Sequence, residues 1–537
     1  MSMSEKDLYS WRSTALARIL LSLATAILLI CSLPAPDLGW LAWVALVPLI
    51  VACHGVGSGP ATGLGLLSGV VASFGIYGWL FEVPSFDLRH AVILALYVAL
   101  YPALWCAALA VMQRRSSLLL CVPILWVAVD YLRAHAGFLS LPWGTLAQTQ
   151  HHNLPLLQVA SLGGEYAVTF LVALGNATVA SVLLASARRK SLIAAVGVLT
   201  LAHLWGVSVL MASPRGTPMR IAVVQPNIQI AERTSEVGRR TNLDRLERLT
   251  RIASNDHPDL VVWPESALLV DLPADKTVLS RVQSLSDQIR VSLIVGTAQG
   301  EKFVNGDAAV TIGRQFFNAA YFIQPGAPLA EPYKKRVLVP FAEYLPHADV
   351  IPWPSWLAPH VVDTTPGDHA EIFSLNFPVA IGTLICWENL FPHLARESVT
   401  RGAQLLVQLT NDVWFGRSAA SRQHNLMSVL RAVENHTPIV IASNSGPSQI
   451  IDGYGRVLVQ VPELFTEGLA THEVRPGTHG TVYTVMGDWL PIGTLIWVGV
   501  VSVWPWVRQT RVRRQPSLAW GREGARPILA PKSESGA

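Results

Sequence analysis

The chain is poor in charge. Only 14% of its 537 residues are Asp, Glu, Lys or Arg, against about 25% in soluble domains. With 51% hydrophobic residues and a mean hydropathy of +0.39, that shortage excludes an ordinary soluble protein over the whole length. Cysteine is scarce as well. Cys31, Cys53, Cys106 and Cys121 lie in or beside apolar runs, and Cys386 stands alone in the remainder, so it has no disulfide partner in its own region. No CxxC, HxxxH or HExxH spacing occurs; no metal and no cofactor is expected. Basic patches interleaved with aromatics are also missing, and the net charge is only +4, so no nucleic-acid partner is expected.

What is present divides the chain. Residues 1–212 carry almost no charge, 213–484 have the composition of a soluble α/β domain, 485–506 are apolar again, and 507–537 are rich in Arg, Pro, Ser and Gly. Runs at 15–33, 38–54, 60–81, 89–112, 117–134, 162–186 and 191–212 read as seven membrane spans, and 485–506 as an eighth. The second is short and contains Pro48. The first continues past Pro34-Ala35-Pro36 into more apolar sequence, so it reads as a span rather than a cleaved signal. Arg12 and Arg18, Arg114-Arg115, Arg188-Arg189-Lys190, and Arg508, Arg511, Arg513 and Arg514 all fall on one side if the spans alternate. That side is expected to be cytoplasmic. The domain at 213–484 then faces away from the cytoplasm, and 507–537 forms a disordered cytoplasmic tail.

Glu82, Asp87 and Glu165 sit near span ends, and no series of charges runs through the spans, which counts against a transporter. The loop at 135–161 holds Leu141-Pro142-Trp143-Gly144 and then His151-His152. The first group reads as an interfacial anchor or a substrate lining. The two histidines are adjacent, so they cannot share a metal on one helix face, and they read as polar loop.

In the soluble part, short apolar runs at 220–227, 259–266, 293–297, 316–323, 378–386, 405–409 and 438–444 read as strands. Helical spacing covers 236–255, 277–290, 390–401 and 421–436, and 448–460 reads as a hairpin. A long loop rich in Pro and Trp runs from 333 to 366. Alternating strands and helices indicate a layered α/β domain. Glu265, Cys386, Asn411 and Asn444 gather at strand ends, where such sheets build sites.

Cys386 ends the run Val379–Ile385 and is followed at once by Trp387, Glu388 and Asn389. It reads either as a small buried hydrophobe or as a thiol delivered to a strand-to-helix corner, near free backbone N–H groups. Glu265 follows Trp263-Pro264, and Lys335 lies in Tyr333-Lys334-Lys335 ahead of Pro340-Phe341-Ala342-Glu343. A carboxylate, an ammonium and a thiol suit acyl transfer through a thioester. Glu265 would serve as general base, Lys335 and the Trp387 backbone N–H would hold the oxyanion, and Glu343 would orient Lys335. Taken singly, each charge reads equally as a solvated surface group.

The segments Trp263-Pro264-Glu265-Ser266, Tyr333-Lys334-Lys335 with Pro340-Phe341-Ala342-Glu343, and Ile385-Cys386-Trp387-Glu388 resemble the three signatures of the nitrilase, or carbon–nitrogen hydrolase, superfamily. Asn411-Asp412-Val413-Trp414-Phe415-Gly416 and Gln423-His424 resemble its membrane-bound branch, the apolipoprotein N-acyltransferases. The resemblance implies a multi-pass α-helical membrane bundle joined to an αββα sandwich domain, and a catalytic Glu265–Lys335–Cys386 triad supported by Glu343, Trp387 and Glu388. It also implies a ping-pong reaction in the bacterial inner membrane, with the sandwich in the periplasm. The acyl chain would pass from a phospholipid donor to Cys386, and from there to the α-amine of a diacylglyceryl apolipoprotein acceptor. Trp353, Trp356, Leu357, Trp414 and Phe415 could form apolar lips of the site or be ordinary core and interface anchors. Trp387 stands where the branch often has Tyr, and the strand at 439–444 lacks an arginine found in the branch, which leaves the acceptor open. A membrane-tethered amidase, an acyltransferase with another acceptor, and a non-catalytic membrane assembly or conjugal transfer protein are the competing readings.

Overall fold

Strand β1 (Met219–Gln225) is buried along almost its whole length. Its alternate residues serve two cores, since successive side chains on a strand point to opposite faces. Ile221 and Val223 face one cluster, Ala222 and Val224 another. That double burial sets the architecture of the soluble part. The computed structural model describes residues 14–212, 216–233, 235–300, 315–359, 361–375, 379–477 and 480–513. Arg12, Arg514 and most of the expected tail lie outside the described residues.

The remaining strands are β2 (Leu260–Val262), β3 (Ser292–Gln299), β4 (Phe317–Ile323), β5 (Tyr333–Lys334), β6 (Ile372–Ser374), β7 (Ala380–Ile385), β8 (Leu405–Thr410), β9 (Ile439–Ser443), β10 (Gln449–Ile451), β11 (Val457–Gln460) and β12 (Gly468–Val474). They form two six-stranded sheets, ordered β12-β1-β2-β3-β4-β5 and β11-β10-β9-β8-β7-β6. Each sheet has a parallel centre, β1-β2-β3 or β7-β8-β9, with antiparallel strands outside it. Side chains from both sheets meet in one cluster, with Val223, Val262 and Phe322 against Ile381, Val407 and Val440.

Helices close both outer faces, giving the αββα sandwich. Glu236–Ser254 and Lys276–Ile289 cover the first sheet with Leu243, Leu246, Val282 and Leu285. Pro392–Thr400 and Ala420–Asn435 cover the second. β5, β6 and β12 did not stand out in the sequence. The first two are very short, and β12 is recognisable mainly by its pairing with β1, the far end of the domain.

Among the described residues, five helices are long and apolar enough to cross a membrane: Ala15–Ser32, Ser58–Ile76, Leu88–Met112, Glu165–Leu183 and Arg189–Leu210. Leu118–Ala134 has 17 residues, and the final helix, Trp489–Arg513, opens with a shorter apolar stretch. The expected second span is divided into a 3₁₀ turn at Gly39–Trp43 and a short helix at Val47–Cys53. Gly65 and Gly69 let helix Ser58–Ile76 approach helix Leu88–Met112. A Cβ on Gly65 would lie 2.4 Å from the Pro102 carbonyl oxygen, so the contact depends on small residues, as membrane helix pairs commonly do. Asp130 and Arg133 form a buried pair at 3.2 Å. Charge is thus scarce in the bundle but present, paired, where the sequence suggested none.

The bundle and the sandwich share a core. One apolar cluster joins Leu49, Trp105, Trp143 and Val172 of the bundle to Leu390, Leu394, Met427 and Leu430 of the sandwich's second helical layer.

Candidate active site

Each of the three signature segments holds a non-glycine residue in the left-handed region: next to Glu265, between Lys335 and Glu343, and at Cys386 itself. These are Ser266 (φ 50°), Phe341 (φ 64°) and Cys386 (φ 50°). For a non-glycine residue this costs about 1–2 kcal/mol, and such strain concentrates at functional sites. Cys386 follows β7 directly and opens a 3₁₀ turn, Cys386–Leu390. The α-helix starts only at Pro392. The backbone N–H groups expected beside the thiol therefore belong to the short turn and not to a helix N-terminus.

Glu265 stands just beyond β2 and is buried. Asn318 on β4 donates its amide to Glu265 Oε1 at 2.6 Å. Lys335, just beyond β5, is fully buried. Its Nζ lies 2.8 Å from Glu343 Oε1 and 3.7 Å from Glu265 Oε1. Glu343 is held in turn by the Val339 N–H, which donates to Oε2 at 2.7 Å. An ammonium between two carboxylates is the arrangement that makes a buried lysine tolerable.

Glu388 fastens the thiol's turn from behind. Its Oε2 accepts from the Tyr333 hydroxyl (2.8 Å) and the Ile385 N–H (2.7 Å). Its Oε1 accepts from the N–H groups of Arg336 (2.6 Å) and Val337 (3.1 Å). One carboxylate thus ties the Lys335 strand end to the Cys386 strand end across the two sheets.

Electrostatics follow from burial. Desolvation raises the Glu265 pKa; Lys335 pulls it back, and Glu343 pushes it up again. Burial and the Glu265 charge push the Cys386 thiol well above its usual value, against the pull of Lys335. For Lys335, burial favours the neutral amine, but Glu343, Cys386 and Glu265 outweigh it and raise its pKa. The resting combination is a thiol, an ammonium, and a carboxylate whose proton affinity is enhanced.

A second buried pair, for which the sequence alone suggests no role, stands behind Cys386. His424 Nε2 lies 3.2 Å from the Cys386 carbonyl oxygen, and Nδ1 lies 3.1 Å from Asp412 Oδ1. Thr410 donates to the same carboxylate oxygen at 2.8 Å. A neutral ring has one N–H and can serve one of these acceptors; an imidazolium serves both. The Gln423-His424 pair was visible only as a family-like segment, with no spacing signal linking it to Cys386.

The aromatic residues separate into groups. Trp387 stacks on Trp143 (6.2 Å between centroids), which stacks on His424 (5.8 Å) and donates its indole N–H to Gln423 at 2.7 Å. Phe415 meets Trp79 of the bundle edge-on at 4.7 Å, and Trp414 is exposed. Trp353 packs with Phe341 and Phe138. Trp356 lies under Arg89 and edge-on to His90. Among the described contacts, Trp353 and Trp356 join the long loop to the bundle and do not touch Glu265, Lys335 or Cys386. Leu357 donates its N–H to the Pro354 carbonyl within the same loop.

Similarity to known proteins extends over most of the chain. The family model for the apolipoprotein N-acyltransferase N-terminal domain matches residues 25–178, and that for carbon-nitrogen hydrolase matches residues 220–483. The apolipoprotein N-acyltransferase of Geobacter metallireducens is 34% identical over 87% of this chain and 91% of its own length. That of Chlorobaculum tepidum is 28% identical over 89% and 93%. Among solved structures, an amidase from Nesterenkonia sp. is 18% identical, covers 49% of this chain and 92% of its own, and superposes with a TM-score of 0.36.

Proposed function

The chain belongs to the apolipoprotein N-acyltransferase family, and from that premise we propose that it transfers an acyl chain from a membrane phospholipid to lipoproteins through a thioester on Cys386. The acceptor is the α-amine of the N-terminal S-diacylglyceryl cysteine. The observation that carries the assignment of residues is the meeting of Glu265, the buried Lys335–Glu343 pair and Cys386 at the strand ends of two facing sheets.

In the first half-reaction Glu265 takes the Cys386 proton as sulfur attacks the donor's ester carbonyl. Burial holds the thiol protonated at rest, so a base is required, and burial of Glu265 makes it a better one. The Lys335 ammonium faces the oxyanion. The Trp387 N–H, early in its 3₁₀ turn and without a partner inside it, is the second donor. As the intermediate collapses, the C–O bond breaks, the lysophospholipid alkoxide takes the proton from Glu265, and the thioester remains. In the second half-reaction the lipoprotein amine attacks the thioester. Glu265 accepts its proton, the C–S bond breaks, and the thiol reforms.

Glu343 and Glu388 act as positioning residues, the first on Lys335 and the second on the Cys386 turn. The loop charges support an inner-membrane enzyme whose sandwich, residues 213–484, faces the periplasm between the bundle at 1–212 and a last span at 485–506. Trp414, Phe415, Trp353 and Trp356, on the side of the sandwich that meets the bundle, serve as apolar lips for lipid substrates.

Incubation of the purified protein with phospholipid should leave one acyl group on Cys386, detectable by intact-mass spectrometry and released by hydroxylamine. Cys386→Ala should show none. An active protein with no adduct on Cys386 refutes the thioester. Adduct formation without transfer to a diacylglyceryl peptide refutes the acceptor.

A further inference from the structure

The histidines read as polar loop acquire a partner in the fold. Asp37, in the turn after the first helix, reaches both: Oδ1 lies 3.3 Å from His151 Nε2, and Oδ2 lies 3.1 Å from His152 Nε2. Their donor atoms all lie within 4.8 Å of one another. A metal with bonds of about 2.0–2.1 Å in tetrahedral geometry holds its ligands about 3.3 Å apart. The sequence argument against a shared metal assumed a helix face. Here the pair lies in a turn, with rings tilted by 43° and 3.9 Å apart, and both Nε2 atoms lie within 3.3 Å of one carboxylate.

Two further features point to a cation. His151 Nδ1 faces the Gln148 carbonyl at 3.3 Å, the outer hydrogen bond that typically orients a metal-binding histidine. With the proton on Nδ1, His151 Nε2 is left as an acceptor 3.3 Å from Asp37 Oδ1. That oxygen is buried and has no hydrogen-bond partner. An orphaned carboxylate oxygen beside a ring nitrogen that can offer a lone pair is a position where a cation is stabilised. A proton would satisfy the two, but the third donor, His152, favours a metal ion.

The ligands also stand on a framework built without the ion. Gln148 accepts from the Gly144 N–H and donates to the Pro142 carbonyl. Gln150 donates to the Gly39 carbonyl and accepts from the Trp43 indole. The Asp37 N–H closes its own turn onto the Leu33 carbonyl.

We propose that Asp37, His151 and His152 form a Zn²⁺ site at the rim of the bundle, with the fourth position open to water beside the exposed His152. Two imidazoles and one carboxylate suit this borderline-soft ion better than Mg²⁺ or Ca²⁺, which take oxygen ligands. Its role is structural, pinning the turn at 33–37 to the segment at 148–153. That turn supports the sandwich, because the Pro34 carbonyl accepts from Gln423, the neighbour of His424.

The test is a titration of the full-length chain, without an affinity tag and stripped with chelator, in detergent micelles. Co²⁺ serves as a spectroscopic substitute for Zn²⁺. A Cys386→Ser background removes the one thiol near the sandwich site that could bind the probe. One equivalent of Co²⁺ should give the intense visible bands of a four-coordinate site, and Zn²⁺ should abolish them. His152→Ala removes an exposed ligand and little packing; it should weaken binding at least about tenfold, and Asp37→Asn should do likewise. Absence of the bands, or identical titrations in His152→Ala and the parent, overturns the site.

Discussion

The two outer helical layers of the sandwich do the same job in opposite surroundings. Helix Glu236–Ser254 buries Leu243, Leu246 and Leu249 and turns its charged residues outward. It meets its neighbour through surface pairs, such as Arg281 with Glu247 and Asp244. Helix Ala420–Asn435 is buried on nearly every side, yet carries Gln423, His424, Asn425, Ser428, Arg431, Glu434 and Asn435. Arg431 is bound by Glu434 on its own helix (2.8 Å) and by Glu165 of the bundle (3.1 Å). The Glu165 N–H also donates to Glu434. The first helix joins the sandwich to water; the second joins it to the bundle, through ion pairs and hydrogen bonds between buried groups. An amphipathic face can pack against many surfaces, whereas an interlocked charge cluster accepts one partner in one register.

Breaking that lock should give the largest effect. Arg431→Ala leaves two buried acidic side chains, Glu165 and Glu434, without their shared cationic partner, a loss of about 3–5 kcal/mol. Denaturation in micelles should show it, with the sandwich and bundle unfolding in separate transitions. His424→Ala, two turns closer to the thiol, should spare the fold. It should lower kcat about tenfold, or ~1.4 kcal/mol, with KM little changed in initial-rate assays, and His424→Gln should recover part of the loss. A third comparison is in pH. Burial pushes the Glu434 pKa up to about 8, against the pull of Arg431 and with a further push from Glu165. An unfolded glutamate ionises near pH 4.3, roughly. Between those values the folded chain holds a proton that the unfolded chain has released, so stability should fall as pH rises towards about 8. Thermal melts should show that slope, and Glu434→Gln should flatten it. The smallest change belongs to the solvent layer: Arg281→Ala breaks two partly exposed pairs and should cost below about 1 kcal/mol.

The same contrast governs how far the sequence could be read. Leu243, Leu246 and Leu249 announce their helix and its buried face by spacing alone. The segments around Glu265, Lys335 and Cys386 are legible because strand ends, prolines and residue types coincide there. Arg431 and Glu434 give no such signal. Spacing at 421–436 shows a helix, but polar residues on all sides read as exposed until a second surface is known to cover them. Asp130 and Arg133 were hidden for the same reason. Their pairing is a property of the bundle's packing and leaves no periodic trace. The break at Gly39–Trp43 was foreshadowed by Pro48 and the shortness of that run. Asp37 and His152 are brought together only by the folded turns.

One pairing has a consequence in time. β12 lies beside β1 along the whole of its length, so the first strand of the sandwich to be synthesised waits for the last. Until then β1 has an open edge able to recruit other strands, and long-range pairings of this kind close slowly. The newborn domain must therefore remain unsatisfied while the rest of the sandwich is made. A strand that contributes nothing visible to the chemistry decides when the protein can first be whole.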